Sequence, residues 1–291
     1  MSEYHPFDPS PKKPVAMPPS GTCDSQFHVL GDPEKYPVRP GAGYQMPSAT
    51  IHKALEMHKA LGIERGVIVQ ATTYGLDHSV VLDGLAVAGP NYRGCAIAMV
   101  LAEKNNDAYI AKLHDAGVRG GRFNFVPQLN MMPSRQELGR VFDRMRELGW
   151  YAKIQAPMTG IMDSLPLWGD VEDIPVIIDH MARYPLADEL TGPYMRTVTD
   201  LLKRDNFWML LSNGYKLSKQ GPPWTDMIPV ARAFIDSCPN RVIWASDWPH
   251  PMSKTPPPND GDLMDFMFSF TRSDEERRRI LVDNPAALFG F

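Results

Sequence analysis

Short apolar runs alternate along this chain with longer segments whose apolar residues recur at helical spacing. Residues 22–30 (TCDSQFHVL), 66–70, 95–100, 118–125 (VRGGRFNF), 150–155, 175–178, 206–212 and 242–246 read as eight strands. Each is too short for a helix and rich in branched or aromatic side chains. Residues 48–61, 77–88, 107–116, 134–148, 194–203 and 228–236 read as helices, and two more, 262–270 and 274–282, lead to Asn284-Pro-Ala-Ala-Leu-Phe. Strands alternating with helices imply a parallel sheet. Eight such units closing on themselves make an α/β fold, the (β/α)8 TIM barrel, whose chemistry sits at the carboxyl ends of the strands. The competing architecture is an open doubly wound sheet, but no G-x-G-x-x-G follows a strand and no G-x-x-x-x-G-K-[ST] occurs. Residues 1–20 read as a proline-rich arm and 21–291 as one barrel domain. Such an arm could reach a neighbouring subunit or lie across the barrel.

Polar residues collect where these strands end. The first strand carries Asp24, Gln26 and His28 on one face, because side chains two apart share a side. The fourth presents Arg122 and Asn124, the fifth Gln155, the sixth His180 with Arg183 just beyond, and the eighth Asp247 and then His250. The eighth is the sharpest. In Arg241-Val-Ile-Trp-Ala-Ser-Asp-Trp-Pro-His-Pro251 a buried-looking run meets an acid at once, and Pro249 and Pro251 hold the next few residues as a loop. In an open sheet these groups would be strung along an edge. In a barrel they converge on one mouth, where each buried polar group needs a partner.

The succession CDSQFHV, GGRFNF, VIIDHMAR, VIWASDWPHP and DNPAALF resembles the amidohydrolase superfamily over about residues 21–291. It is most similar to the branch containing 2-pyrone-4,6-dicarboxylate lactonase, sugar lactonases and galactarolactone isomerase. The resemblance implies a barrel that works on lactones or related carbonyl compounds. It assigns His180 to the superfamily's strand-six histidine, Asp247 to its strand-eight aspartate, and Arg122 to an arginine of the lactonase's fourth strand. Tyr44 and Thr72 match positions that line the lactonase pocket. Gln26 stands where the superfamily has the first histidine of His-x-His, as in the isomerase. Gln128, Gln155 and Lys216 stand where the lactonase has a second gripping arginine, a tyrosine and another arginine, so the grip on a dicarboxylate is incomplete.

These residues suggest a mechanism. Asp247 is expected to act as general base on water, with His28, His180 and Arg122 polarising a lactone carbonyl. Gln26, Asn124, Gln155, Arg183, Tyr44, Thr72, Tyr215 and His250 are expected to bind substrate, and Trp224 and Lys216 to help wall the site. His28, His180 and Asp247 would also make a three-ligand zinc site with an open position. Gln26 is a neutral amide poorly suited to zinc, however, and no bridging lysine presents itself at strand five. The resemblance implies a metal-free reaction, so no cofactor is expected; one divalent ion such as zinc at those three residues is the alternative. Other readings are a lactone isomerase, favoured by Gln26 and opposed by Asp247, a metal-dependent hydrolase or decarboxylase, and a decayed barrel that only binds ligands.

Composition narrows the partners. Hydrophobic residues make up 43% and charged residues 22%, ordinary for a globular enzyme. A net charge of -4 gives no reason to expect nucleic acid or an anionic membrane. No apolar run is long enough to span a bilayer, and the arm lacks an apolar signal core, so a cytoplasmic protein is expected. Cys23, Cys95 and Cys238 are far apart and odd in number, which suggests reduced thiols, the first two as small core residues. The expected partner is a small-molecule lactone or related acid, with a homo-oligomer left open.

Overall fold

Eight parallel strands stand side by side in chain order in the computed structural model of the protein, which describes residues 4–156 and 160–291. They are β1 (Cys23–Phe27), β2 (Arg65–Val69), β3 (Tyr92–Ile97), β4 (Val118–Asn124), β5 (Tyr151–Gln155), β6 (Val176–Ile178), β7 (Phe207–Leu211) and β8 (Val242–Trp244). Helices α1 (Ile51–Leu61), α2 (Ser79–Ala88), α3 (Asp107–Asp115), α4 (Arg135–Leu148), α5 (Gly160–Trp168) and α6 (Pro193–Leu202) follow the first six strands in turn. A short α7 (Gly214–Leu217) and α8 (Ile228–Ser237) follow β7, and α9 (Asp260–Ser269), α10 (Asp274–Arg278) and α11 (Asn284–Phe289) follow β8. This is the (β/α)8 TIM barrel that the alternation predicts.

Local departures from the expected pattern have physical causes. The third strand ends at Ile97, and the apolar run continues as a buried 3-10 turn over Ala98–Ala102. Periodicity cannot separate a buried strand from a buried turn. Helix α5 is not announced by the sequence because Pro166 lies inside it. Helix α1 is capped by Thr50 rather than opened by Ser48, while α4 starts behind a Ser134–Glu137 capping box.

Inside the barrel, Cys23, Val67, Val69, Cys95, Ile177, Leu210 and Ile243 form a buried cluster that Phe289 of α11 joins, its ring 5.3 Å from that of Tyr151. The three cysteines are buried and free. No helix among the described residues is long and apolar enough to cross a membrane.

The first and last strands meet at the mouth. The Asp247 N–H donates to the Gln26 carbonyl at 3.1 Å, and the His28 N–H donates to the Trp248 carbonyl at 2.7 Å. Below them the Asp24 carboxylate accepts the Ser246 N–H at 3.0 Å and the Ser246 hydroxyl, and lies 3.2 Å from His58 Nε2 on α1. This corrects the expectation that Asp24 shares a face with Gln26 and His28. The β1–β2 register slips by one residue between Asp24 and Phe27. That bulge turns Asp24 to the same helix-facing side as Phe27, which packs on His58 and Tyr92, and leaves Gln26 and His28 for the mouth.

The arm runs down the outside of this seam, on its own barrel. Tyr4 packs with Tyr44 and Leu129 near the mouth, the His5 N–H donates to the Ser253 carbonyl at 3.0 Å, and Phe7 lies 4.6 Å from Trp248. Asn259, at the head of α9, accepts the Lys12 N–H and donates to Asp8 and Ser10. The Ser20 hydroxyl and the Gly21 N–H then reach Glu64, just before β2.

If Asp24 holds the seam, Asp24→Ala leaves the Ser246 donors unpaired in the interior. It should cost about 3 kcal/mol in chemical denaturation. Glu56→Ala, which removes an exposed ion pair with Lys53, should cost under about 1 kcal/mol.

Candidate active site

A cavity of about 280 Å³ opens at the carboxyl ends of the strands. Its floor is His28, Arg122, Gln155, His180 and Asp247, contributed by strands one, four, five, six and eight or the residues just beyond them. Its walls come from the loops: Tyr44 after β1, Thr72 after β2, Val126 and Leu129 after β4, Arg183 after β6, Asn213 and Lys216 after β7, and Pro251 and Met252 after β8. Three of these loops are laced closely together. Arg39 Nη2 donates to the Leu129 carbonyl at 2.6 Å, and the Thr73 hydroxyl donates to the Tyr44 carbonyl at 2.6 Å. Gly43 makes the approach possible, since a Cβ there would lie 2.2 Å from the Gln128 carbonyl oxygen.

Asp247 is the centre. Its carboxylate is buried, and each oxygen faces two nitrogens. Oδ1 accepts from Gln26 Nε2 at 2.7 Å and lies 3.4 Å from His28 Nε2. Oδ2 accepts from Asn213 Nδ2 at 2.8 Å and from Lys216 Nζ at 3.3 Å. Burial alone would raise its pKa, but the interactions led by the Lys216 ammonium outweigh it and hold the carboxyl well below its ordinary range. His28 is pinned from behind: Nδ1 lies 2.7 Å from the Val69 carbonyl, so the proton sits on Nδ1 and Nε2 faces Asp247.

His180 is hemmed in at both ring nitrogens. Its Nε2 lies 3.3 Å from Arg122 Nη2 and 3.5 Å from the Gln26 amide nitrogen, both obligate donors. Nδ1 lies 2.8 Å from the Ser212 hydroxyl and 3.0 Å from Asn213 Nδ2, another obligate donor, so donors face the ring from both sides. Burial pushes the ring down to about 3, against the pull of Asp247 and Asp179, so it is neutral at working pH. In this arrangement His180 and Arg122 stand side by side on the cavity floor. The backbone carries strain here: His180, Met181, Ala182 and Arg183 all have φ between 47° and 55°, a left-handed turn of four non-glycine residues. The turn brings Arg183 back over the cavity, and Tyr194 holds it by donating to the Ala182 carbonyl at 2.6 Å.

Beneath Arg122 lies a pair that the polar strand ends do not announce. Asp179 accepts from Arg122 Nε at 3.0 Å and pairs with Lys153 Nζ at 2.8 Å, all three buried. Burial would raise the Asp179 pKa, but Lys153 and Arg122 overcome this and hold the carboxyl below its usual value. Lys153 was within reach of the sequence: it is two residues before Gln155 on β5 and so shares its inward face. Around the cavity, four cations (Arg122, Lys153, Arg183 and Lys216) thus face two carboxylates, Asp179 and Asp247. Among the described residues no carboxylate pairs with Arg183, and its buried Nε lacks a hydrogen-bond partner.

The remaining expected residues divide. Gln155, Tyr44, Thr72 and Arg183 line the cavity. Gln26 is present but spends its amide on Asp247. Asn124 points inward yet sits behind Thr72, whose hydroxyl donates to it at 3.4 Å. His250 and Tyr215 need correction. Neither lines the cavity. His250 is turned away to within 3.3 Å of Asp260 Oδ1 on α9, and the Tyr215 ring packs edge-on against it at 5.6 Å. The sharp left-handed turn at Asp247 (φ 59°) and His250 (φ 61°) sends the two side chains in different directions. Trp224 is likewise buried, against Tyr215 and Phe266. Among the described residues no three His, Cys, Asp or Glu side chains converge with metal-holding geometry. The zinc set fits poorly, because the Arg122 guanidinium and the Gln26 amide nitrogen stand 3.3 and 3.5 Å from the His180 Nε2 that a metal would need.

Comparison with known proteins bears on this cavity. A family model described as Amidohydrolase matches residues 23–291. The chain is 32% identical to 2-pyrone-4,6-dicarboxylate hydrolase of Comamonas testosteroni, over 96% of this chain and 93% of that protein. It is 35% identical to 4-sulfomuconolactone hydrolase of Hydrogenophaga intermedia, over 94% and 90% respectively. It is 26% identical to D-galactarolactone isomerase of Agrobacterium fabrum, over 93% and 91%.

The buried Lys153–Asp179 pair makes a prediction with a sign. A carboxyl depressed in the folded state stabilises the fold above its unfolded pKa of about 3.9, and that contribution is lost as pH falls through the folded value. Lys153→Met should therefore cost about 3–5 kcal/mol at neutral pH. The gap to wild type should narrow in denaturation curves taken below about pH 4.

Proposed function

This chain belongs to the amidohydrolase family, and from that premise we propose that it hydrolyses a small anionic lactone without a metal, Asp247 being the general base. The observation that carries the reading is the imbalance of charge around one buried carboxylate: the cavity holds an arginine with no acidic partner among the described residues, so the missing anion is supplied by substrate. The relatives named as lactone hydrolases act on a pyrone dicarboxylate and a sulfonated muconolactone, both anionic rings. Arg183, with Lys216 on the same cavity's wall, takes the substrate's carboxylate or sulfonate, since a guanidinium fork matches two such oxygens.

In the proposed reaction a water beside Asp247 gives its proton to a carboxylate oxygen as its own oxygen bonds to the lactone carbonyl carbon. The carbonyl π electrons move to oxygen, where Arg122 steadies them. Collapse of that oxyanion breaks the ring C–O bond, and the proton held by Asp247 and the neighbouring His28 Nε2 goes to the leaving ring oxygen, giving an open-chain acid. A water without a metal keeps its high pKa, so the best substrates have stabilised leaving groups, as enol and conjugated lactones do. The metal-free reading is supported by the donors already aimed at His180.

Asp247→Asn should lower kcat by about 10²–10⁴-fold with the fold intact. Arg183→Ala should raise KM for an anionic lactone by roughly tenfold or more, the loss of a charge-assisted pair. Wild-type reaction in heavy-oxygen water should place one solvent oxygen in the product carboxylate, whereas an isomerase would incorporate none. Near wild-type turnover by Asp247→Asn, or activity abolished by chelation and restored by zinc, would defeat the proposed chemistry.

A further inference from the structure

In the resting arrangement every acceptor position of the proposed base is taken or covered. A carboxylate offers about four acceptor positions; Asp247 fills three of them by accepting from Gln26, Asn213 and Lys216, and His28 Nε2, 3.4 Å from Oδ1, stands against the fourth with no width for a water between them. A water to be deprotonated needs one of those positions.

The four neighbours are not equally able to leave. Gln26 and Asn213 sit at 2.7 and 2.8 Å, and Gln26 lies on the strand whose backbone bonds close the barrel against Asp247 itself. His28 is fixed by the Val69 carbonyl at 2.7 Å. Lys216 differs in every respect. Its ammonium stands 3.3 Å from Oδ2, well beyond the 2.7–2.9 Å of a tight charge-assisted bond, and its second partner is the Pro251 carbonyl at 3.2 Å. Its side chain is 26% exposed, lines the cavity on a flexible four-carbon stem, and arises from the short helix after β7 rather than from a strand.

We propose that Lys216 is a substrate-operated latch on the base: the anionic group of the lactone draws the ammonium off Asp247 Oδ2 and so opens the position the attacking water occupies. The inference rests on the lactone-hydrolase reading and deepens it. It makes the anionic substituent part of catalysis as well as of binding. A lactone of the same ring without that substituent would enter the cavity and find the base covered. Departure of the ammonium also removes the cation that does most to hold Asp247 acidic, so the carboxylate becomes a better proton acceptor at the moment substrate is in place.

The test uses full-length protein, a neutral monocyclic lactone such as γ-valerolactone, an anionic lactone as reference, and methanesulfonate, an anion too weakly basic to act as a base itself. Methanesulfonate at constant ionic strength should raise wild-type turnover of the neutral lactone by about tenfold, within the usual range for two coupled ligands. Lys216→Met should open the neutral lactone faster than wild type, lose its response to methanesulfonate, and turn over the anionic lactone with a raised KM. That inversion of preference is not the mark of a variant that is merely misfolded, which would lose both activities together. If wild type opens the anionic lactone but methanesulfonate leaves the neutral one unchanged and Lys216→Met lowers both substrates equally, the latch is wrong and the hydrolase reading stands. If wild type opens no lactone, that reading falls and the latch with it.

Discussion

A parallel sheet becomes a barrel only where its first and last strands find each other, and in this protein they do so through very few contacts. Two backbone hydrogen bonds join Gln26 and His28 to Asp247 and Trp248, and one buried carboxylate, Asp24, is shared between Ser246 and His58. The residues that close the ring are those that carry the site, or their immediate neighbours. Gln26 gives its carbonyl to the Asp247 N–H and its side-chain amide to the Asp247 carboxylate. Folding the barrel and assembling the base are therefore one event, and the outer arm, lying on Trp248 and Ser253, covers the side where that event takes place.

The second constraint is charge in a place that water does not reach. A buried ion costs several kcal/mol unless others neutralise it, and the interior answers with chains of contacts rather than isolated pairs. Lys153 balances Asp179, Asp179 aims Arg122, and Arg122 lies against His180 Nε2. The other chain runs from Asn213 and Lys216 to Asp247 and His28. The surplus is cationic and lies at the cavity surface, where a small anion can settle it.

The architecture was legible because strand and helix alternate in the sequence, and the convergence of Arg122, His180 and Asp247 because polar residues stood at strand ends where burial makes them costly. What stayed hidden is instructive. Lys153 looks like any surface lysine in sequence; only its step of two from Gln155 marks it as inward, and that step has meaning only once β5 has been placed. The bulge in β1 cannot be read from residue types, and it reversed the side on which Asp24 falls. His250 shares its segment with Asp247, but left-handed backbone at both residues separates their directions, and neither is a glycine that would have signalled it. The wall residues Val126, Leu129 and Met252 are ordinary apolar loop residues whose position depends on tertiary packing alone.

At Gly43 the loop after β1 rests on the Gln128 carbonyl with no space for a methyl group. The two loops that touch there carry Tyr44 on one side and Val126 and Leu129 on the other, so any side chain at position 43 would push these two walls apart. That contact lies in the outer wall, apart from the carboxylate and guanidinium groups on the floor. The size of guest the protein admits and the chemistry it performs are thus separable properties of this barrel, and a lineage or a designer could widen one while leaving the other as it stands.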